Sequence, residues 1–171
     1  MWLFHALSGR FPIVLGSIGK DRIALKWLQT GAVFDEPPLI AIENKAGGKY
    51  VKAVGASASG MSGLHAVTVH NSFESIEPLF TDYDLAAALV KHAIREIFEA
   101  RWLMSPKVLL RICGRHSVLS GSEKQMLQRF AKDCGIARLY VFLEGETIPG
   151  NNEMNHSSLS KSAHFVTKFV A

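Results

Sequence analysis

Apolar residues in the first half of the chain fall at strand spacing. Pro12 to Ser17 is a short apolar run, Gly19-Lys20-Asp21 carries turn chemistry and Arg22 to Leu28 alternates, so together they predict a β-hairpin. A second turn at Gln29-Thr30-Gly31 leads to Ala32-Val33-Phe34. Asp35-Glu36-Pro37-Pro38 then interrupts before the apolar Leu39-Ile40-Ala41-Ile42. Proline has no N–H for a ladder, which places the interruption at a sheet edge or a bulge. Ala46-Gly47-Gly48 turns into Lys49 to Val54, where Val51 and Val54 predict another strand. This half reads as a meander.

The period changes after residue 80. Leu85, Leu89, Val90, Ala93, Ile94, Ile97 and Phe98 recur at helical spacing from Asp82 to about Arg101, with Thr81 and Asp84 in capping-box positions. Lys107 to Cys113 is a continuous apolar run suited to a strand covered on both faces. Ser120 and Glu123 form a second capping box, Met126, Leu127, Phe130, Ala131 and Cys134 make the apolar stripe of its helix, and Gly135 stops it. Arg138 to Leu143 reads as a strand parallel to the one before, completing a strand–helix–strand unit. A meander feeding such a unit predicts a mixed sheet with helices packed on it. From residue 150 onward Asn151, Asn152, His156, Ser157, Ser158 and Ser160 read as a flexible spacer, and Ala163 to Val170 alternates as a terminal strand that caps a sheet edge or docks on a partner.

Composition narrows the class without naming a function. The 171 residues fit one domain, and 48% hydrophobic with 20% charged is ordinary for a globular protein. A net charge of +4 is modest for a dedicated nucleic-acid binder. Charge is nevertheless uneven. Arg101 to Arg138 holds eight basic and two acidic residues, while Asn71 to Val90 holds four acids and no Lys or Arg. Solvated helix faces explain the imbalance, and so does an electrostatic docking surface. Ala53 to Phe73 is uncharged but too polar to span a bilayer, and the opening Met1 to Leu7 lacks a basic region and is too short for an export signal, so a cytoplasmic location is expected.

Most candidate chemistry fails on spacing. Gly16-Ser17-Ile18-Gly19-Lys20 has glycines and a lysine but not the phosphate-loop pattern, and a strand rather than a helix follows it. Gly55, Gly60 and Gly63 match no nucleotide fingerprint and flank a short helix instead. The seven histidines show no metal-ligand spacing, with His65 and His70 in a predicted loop. Cys113 and Cys134 read as reduced core residues. Ser117, Ser120 and Ser122 beside His116 show no nucleophile–base arrangement.

A longer-range pattern does carry a resemblance. Ile13-Val14-Leu15-Gly16-Ser17, Asp35-Glu36-Pro37-Pro38, Ala53-Val54-Gly55 and Leu79-Phe80-Thr81-Asp82-Tyr83 stand in order along the chain. Met104 to Leu110, Glu123-Lys124 through Gly135-Ile136-Ala137-Arg138, and Val141-Phe142-Leu143-Glu144-Gly145 follow them. Over roughly residues 10–149 these segments resemble the first domain of the MreB family, the actin-like, rod-shape-determining cytoskeletal ATPases. The resemblance implies an α/β domain of the actin and ribonuclease H-like class over residues 1–149, with a five-stranded mixed sheet flanked by helices. Residues 150–171 then form the polar spacer and terminal strand.

The resemblance also implies a damaged nucleotide site. Val14 stands where the family's first phosphate loop has the Asp that helps hold the magnesium of ATP. Gly16 and Ser17 retain the loop's glycine and hydroxyl, and Glu144 is what remains of the family's Glu-Glu-Pro. Gly114-Arg115-His116 matches the family's Gly-Ala-Thr poorly, and the Asn/Ser-rich segment stands where the second phosphate loop is expected. Gly16, Ser17 and Glu144 are thus the residues of a vestigial nucleotide site. The expectation is a protein of bacterial cell-shape or cytoskeletal organisation that works through protein contacts or self-association, without a cofactor, a metal or nucleic acid.

The candidate contact residues are Arg111, Arg115, Lys124, Arg129 and Lys132, with Phe165 and Phe169 on the terminal strand. Trp2, Leu3 and Phe4, with Leu7, Arg10 and Phe11, resemble an apolar foot that some family members press on the inner membrane, and a strand-edge or core-capping role fits them equally. Two alternatives stay open. One is an ATPase binding ATP with magnesium once a partner chain completes its site. The other is ribonuclease H-like nucleic-acid processing, which needs clustered carboxylates where Val14 stands.

Overall fold

The computed structural model describes residues 11–75, 77–99, 105–149, 156–163 and 165–168. Trp2, Leu3, Phe4 and Phe169 lie outside the described residues. Strands β1 (Ile13–Ile18) and β2 (Ile23–Trp27) form the expected hairpin, with Ile18 opposite Ile23, and β3 (Val33–Glu36) pairs with β2. The chain then leaves this sheet at Pro37-Pro38. Strands β4 (Leu39–Lys45), β5 (Gly48–Val54) and β6 (Val67–Asn71) build a separate three-stranded antiparallel sheet in the order β5-β4-β6, with the short helix α1 (Gly55–Ser59) between its second and third strands.

The chain returns through helix α2 (Tyr83–Ile97) to strand β7 (Lys107–Ile112), then helix α3 (Gly121–Asp133) and strand β8 (Arg138–Phe142). Strand β7 runs parallel to both β1 and β8, as the strand–helix–strand reading requires. Helix α4 (His156–Ser162) and strand β9 (Phe165–Lys168) follow, and β9 pairs antiparallel with β8. The main sheet is therefore β3-β2-β1-β7-β8-β9.

The structure departs from several expectations. The main sheet has six strands rather than five, because residues 165–168 add an edge strand. The apparent meander splits between two sheets, because the two prolines cannot continue the ladder of β3. Ser157, Ser158 and Ser160, read as spacer, lie in α4, whose Leu159 is buried and anchors it to the sheet. His70 lies on β6 rather than in a loop.

Alternation along β1 divides the molecule. Val14 and Ile18 face a core made with Leu89, Ala93 and Ile97 of α2 and Leu127, Phe130 and Ala131 of α3. Ile13 and Leu15 face a smaller cluster of Leu109, Tyr140, Phe142 and Leu159 under α4. Burying Val14, Leu89, Leu109, Leu127 and Leu139 completely contributes roughly 1.5–3 kcal/mol per side chain. Helix α3 starts as expected, with Ser120 and Glu123 forming a capping box. Helix α2 is capped by Asp82, which accepts from the Leu85 N–H, while the Thr81 hydroxyl instead accepts from the Ser75 N–H.

Candidate functional site

Three parallel strands end side by side, at Ile18 of β1, Ile112 of β7 and Phe142 of β8. In open α/β sheets this carboxyl edge is where ligands collect. The edge is closed by local hydrogen bonds. The Cys113 N–H donates to the Ile18 carbonyl at 2.8 Å and the Gly19 N–H to the Arg22 carbonyl at 2.9 Å. A carboxylate oxygen of Glu144 accepts from the Gly114 N–H at 2.9 Å, and one of Glu146 accepts from the Leu143 N–H at 2.6 Å. Arg111 donates through Nη2 to the Glu146 carbonyl, also at 2.9 Å. Both carboxylates of Glu144-Gly145-Glu146 thus fasten the loops that follow β7 and β8.

Gly16 and Ser17 lie inside β1, not in a loop beyond it. Strand β1 stays in register with β2 from Val14 to Ile18 and with β7 from Ile13 to Ile18, so its backbone is paired on both sides through these residues. A Cβ on Gly16 would stand 2.8 Å from a Leu25 methyl and 3.0 Å from a Leu110 methyl, so packing between two leucines accounts for this glycine. Val14 is fully buried in the larger core. Glu144 sits two strands away from β1, at the end of β8.

Electrostatics at this edge are set by neighbours. Burial, joined by the charge of Glu144, pushes the Cys113 thiol above its ordinary value, against the opposing effect of Arg111 and Arg22. Arg22 and Asp35 form an exposed ion pair nearby. Among the described residues no group of three or more His, Cys, Asp or Glu is placed to hold a metal ion.

The five candidate contact cations do not form one surface. Arg115 is corrected outright: it is 4% exposed, and its guanidinium meets the Glu123 carboxylate twice, at 2.5 and 2.9 Å. Burial pushes the Glu123 carboxyl up, but its hydrogen bonds from Arg115 and Ser120 prevail and hold it below the ordinary carboxylate range. Glu77 adds a rim contact to Arg115 at 4.0 Å and accepts from the Ser117 hydroxyl. Sequence reading recognised Glu123 only as a cap, since nothing local shows that Arg115 turns inward. Arg111 is half-buried on β7, where its register neighbour Ser17 shares the face away from α2 and α3. Lys124, Arg129 and Lys132 remain together on α3. Phe165 pairs with Val141 in the sheet.

On the outer flank, Asp82, Tyr83, Met126 and Arg129 line an open cleft of about 510 Å³ between α2 and α3. The Arg129 guanidinium stands 4.9 Å from the centre of the Tyr83 ring.

A family model described as MreB/Mbl protein matches residues 15–148. The chain belongs to the MreB/Mbl family. Among solved structures it is similar to MreB5 of Spiroplasma citri bound to AMPPNP, with 25% identity and a TM-score of 0.57. It is also similar to MreB5 of the same organism bound to ADP, with 23% identity and a TM-score of 0.59. In both cases the match covers 78% of this chain and 38% of the other, so the chain spans well under half the length of these MreB structures. The fold is accordingly actin-like, carried by a six-stranded mixed sheet with helices on both faces. Among the described residues, no helix is long and apolar enough to cross a membrane.

Proposed function

We propose that this MreB-family chain serves bacterial cell-shape or cytoskeletal organisation through protein contacts, self-association included, and does not hydrolyse ATP. One observation carries the reading. At the carboxyl edge β1 runs as a ladder-paired strand through Gly16 and Ser17, and the buried Val14 stands where the family resemblance puts a carboxylate.

The physics is that of phosphoryl transfer, in which catalysis rests on positioning and on neutralising charge around the phosphates. Amides engaged in a ladder are not free to cradle a phosphate. A valine offers no oxygen to magnesium. Gly16, Ser17 and Glu144 are in this reading the remains of a nucleotide site, and Lys124, Arg129 and Lys132 on α3 are the contact surface. The apolar segment containing Trp2, Leu3 and Phe4 supplies a membrane-contact candidate in a cytoplasmic protein.

Calorimetric titration of the chain with Mg-ATP tests the reading directly. We expect no saturable heat at micromolar nucleotide, and micromolar binding by the chain alone would overturn it. Saturable binding that appears only on mixing with a partner chain would instead favour a shared ATPase site.

A further inference from the structure

The register of the main sheet sets two basic residues side by side at the end remote from the carboxyl edge. Lys107 of β7 is the register partner of Arg138 of β8. Adjacent strands lie ~4.8 Å apart, and like charges directly opposite one another destabilise a sheet. Lys107 and Arg138 are both half-buried, on the face away from α2 and α3.

Among the described residues no carboxylate pairs with Lys107 or Arg138; the ion pairs engage Arg22, Lys45, Lys52, His92, Arg115 and Arg129. Burial, followed by the charge of Arg138, holds the Lys107 ammonium below its ordinary value, so the two groups act on each other. The Lys107 ammonium also stands 5.4 Å from the centre of the Phe11 ring, which is itself 44% exposed.

We propose that Lys107 and Arg138 form a binding site for a phosphate-bearing anion. A guanidinium fork beside an ammonium matches a tetrahedral, doubly charged oxyanion, which accepts from both at once and turns the repulsion into attraction. The shared chemistry is a phosphate group, either of a lipid headgroup or of a soluble phosphate compound. The site stands apart from the ATP question, since it lies at the opposite ends of β7 and β8.

The test uses the whole chain with two probes. The first is inorganic phosphate against chloride at matched ionic strength, read as a shift in Tm. The second is vesicles of phosphatidylglycerol in phosphatidylcholine against phosphatidylcholine alone, read by co-sedimentation. We expect phosphate to raise Tm, or the phosphatidylglycerol vesicles to retain the chain, with K107Q and R138Q each weakening the effect ~10-fold. The exposed control K26Q should keep it. Stabilisation by free phosphate assigns a soluble compound, and retention on phosphatidylglycerol alone assigns a headgroup. Absence of both effects in the wild-type chain, or their persistence in K107Q and R138Q, would overturn the proposal. Because K107Q relieves the repulsion, it should also raise Tm without anion, a readout independent of binding.

Discussion

The Tyr83 hydroxyl, at the first residue of α2, donates to an Asp133 carboxylate oxygen at the end of α3, 2.6 Å away. Phe80, in the segment leading into α2, stacks on Phe130 of α3 with ring centres 4.8 Å apart. This hydrogen bond is the largest influence holding the Asp133 carboxyl below its ordinary value, with burial opposing it and Arg129 assisting. Burial, then the bond to Asp133, raises the Tyr83 phenol. Y83F should therefore lose ~0.5–1 kcal/mol at neutral pH by urea denaturation. A carboxyl depressed in the folded state stabilises above its unfolded value, near pH 4, and the benefit fades as pH falls through the folded value. The gap between wild type and Y83F should accordingly narrow below pH 4, and a gap constant down to pH 2 would sink the assignment.

Arg115 and Glu123 form a pair that is dangerous to halve. R115M leaves the Glu123 carboxylate buried without its cation, at an expected ~3–5 kcal/mol. R115M/E123L removes both charges and should recover most of that loss, except about 1 kcal/mol belonging to the Ser120 cap. A double-mutant cycle by chemical denaturation separates these contributions.

Glycines 16 and 55 should respond differently to alanine. Gly55 has φ +63°, and a Cβ there would meet the Glu36 carboxylate at 2.7 Å, the same group that accepts from the Ala56 N–H to start α1. G55A should cost ~2 kcal/mol or more, because backbone strain and the lost hydrogen bond add. At Gly16 the obstacles are the methyl tips of Leu25 and Leu110, which rotate, so G16A should cost ~1 kcal/mol. Equal losses in thermal melts would refute the packing account of Gly16.

Val14→Asp restores the residue type that the family resemblance puts at this position, yet it places an unpaired carboxyl where the side chain is fully buried. The expected result is several kcal/mol of destabilisation and no gain of ATP turnover. Phosphate release by a folded V14D protein would count against the reading that the ladder-paired β1 is the deeper obstacle.

The thiols should differ in reactivity. Burial pushes Cys134 up to about 12, and its Sγ lies 3.8 Å from the Ala87 carbonyl, so iodoacetamide at pH 8 should spare it in the folded chain. Cys113 should react first. E144Q removes one of the influences that raise its value and should speed that alkylation, as read by mass spectrometry.

Elements defined by local signals were legible in the sequence. Helix α3 had a capping box, an apolar stripe and a stopping Gly135 with φ +70°, and all lie within one continuous segment. Strands β7 and β8 were continuous apolar runs and are buried as such. Strand β6 was missed because Val67-Thr68-Val69-His70-Asn71 sits in an uncharged, polar stretch with exposed Thr68 and His70. The division into two sheets was also missed, since spacing identifies a strand but not its partner. At the candidate site, Gly16 and Ser17 were legible as part of the first strand and Glu123 as a cap. The inward turn of Arg115 and the engagement of Glu144 with Gly114 depend on approaches across 8 and 30 positions, which no local pattern encodes.

The antiparallel return of β9 has a consequence for solubility. Leu139, Tyr140, Val141 and Phe142 of β8 are wholly enclosed, and the row of amides and carbonyls beside them meets residues 165–168. A proteolytic cut that released this last segment would bare a sticky, greasy border inviting strands from other molecules. The four-residue strand works as a selvedge, the woven margin that keeps a fabric from fraying into its neighbours.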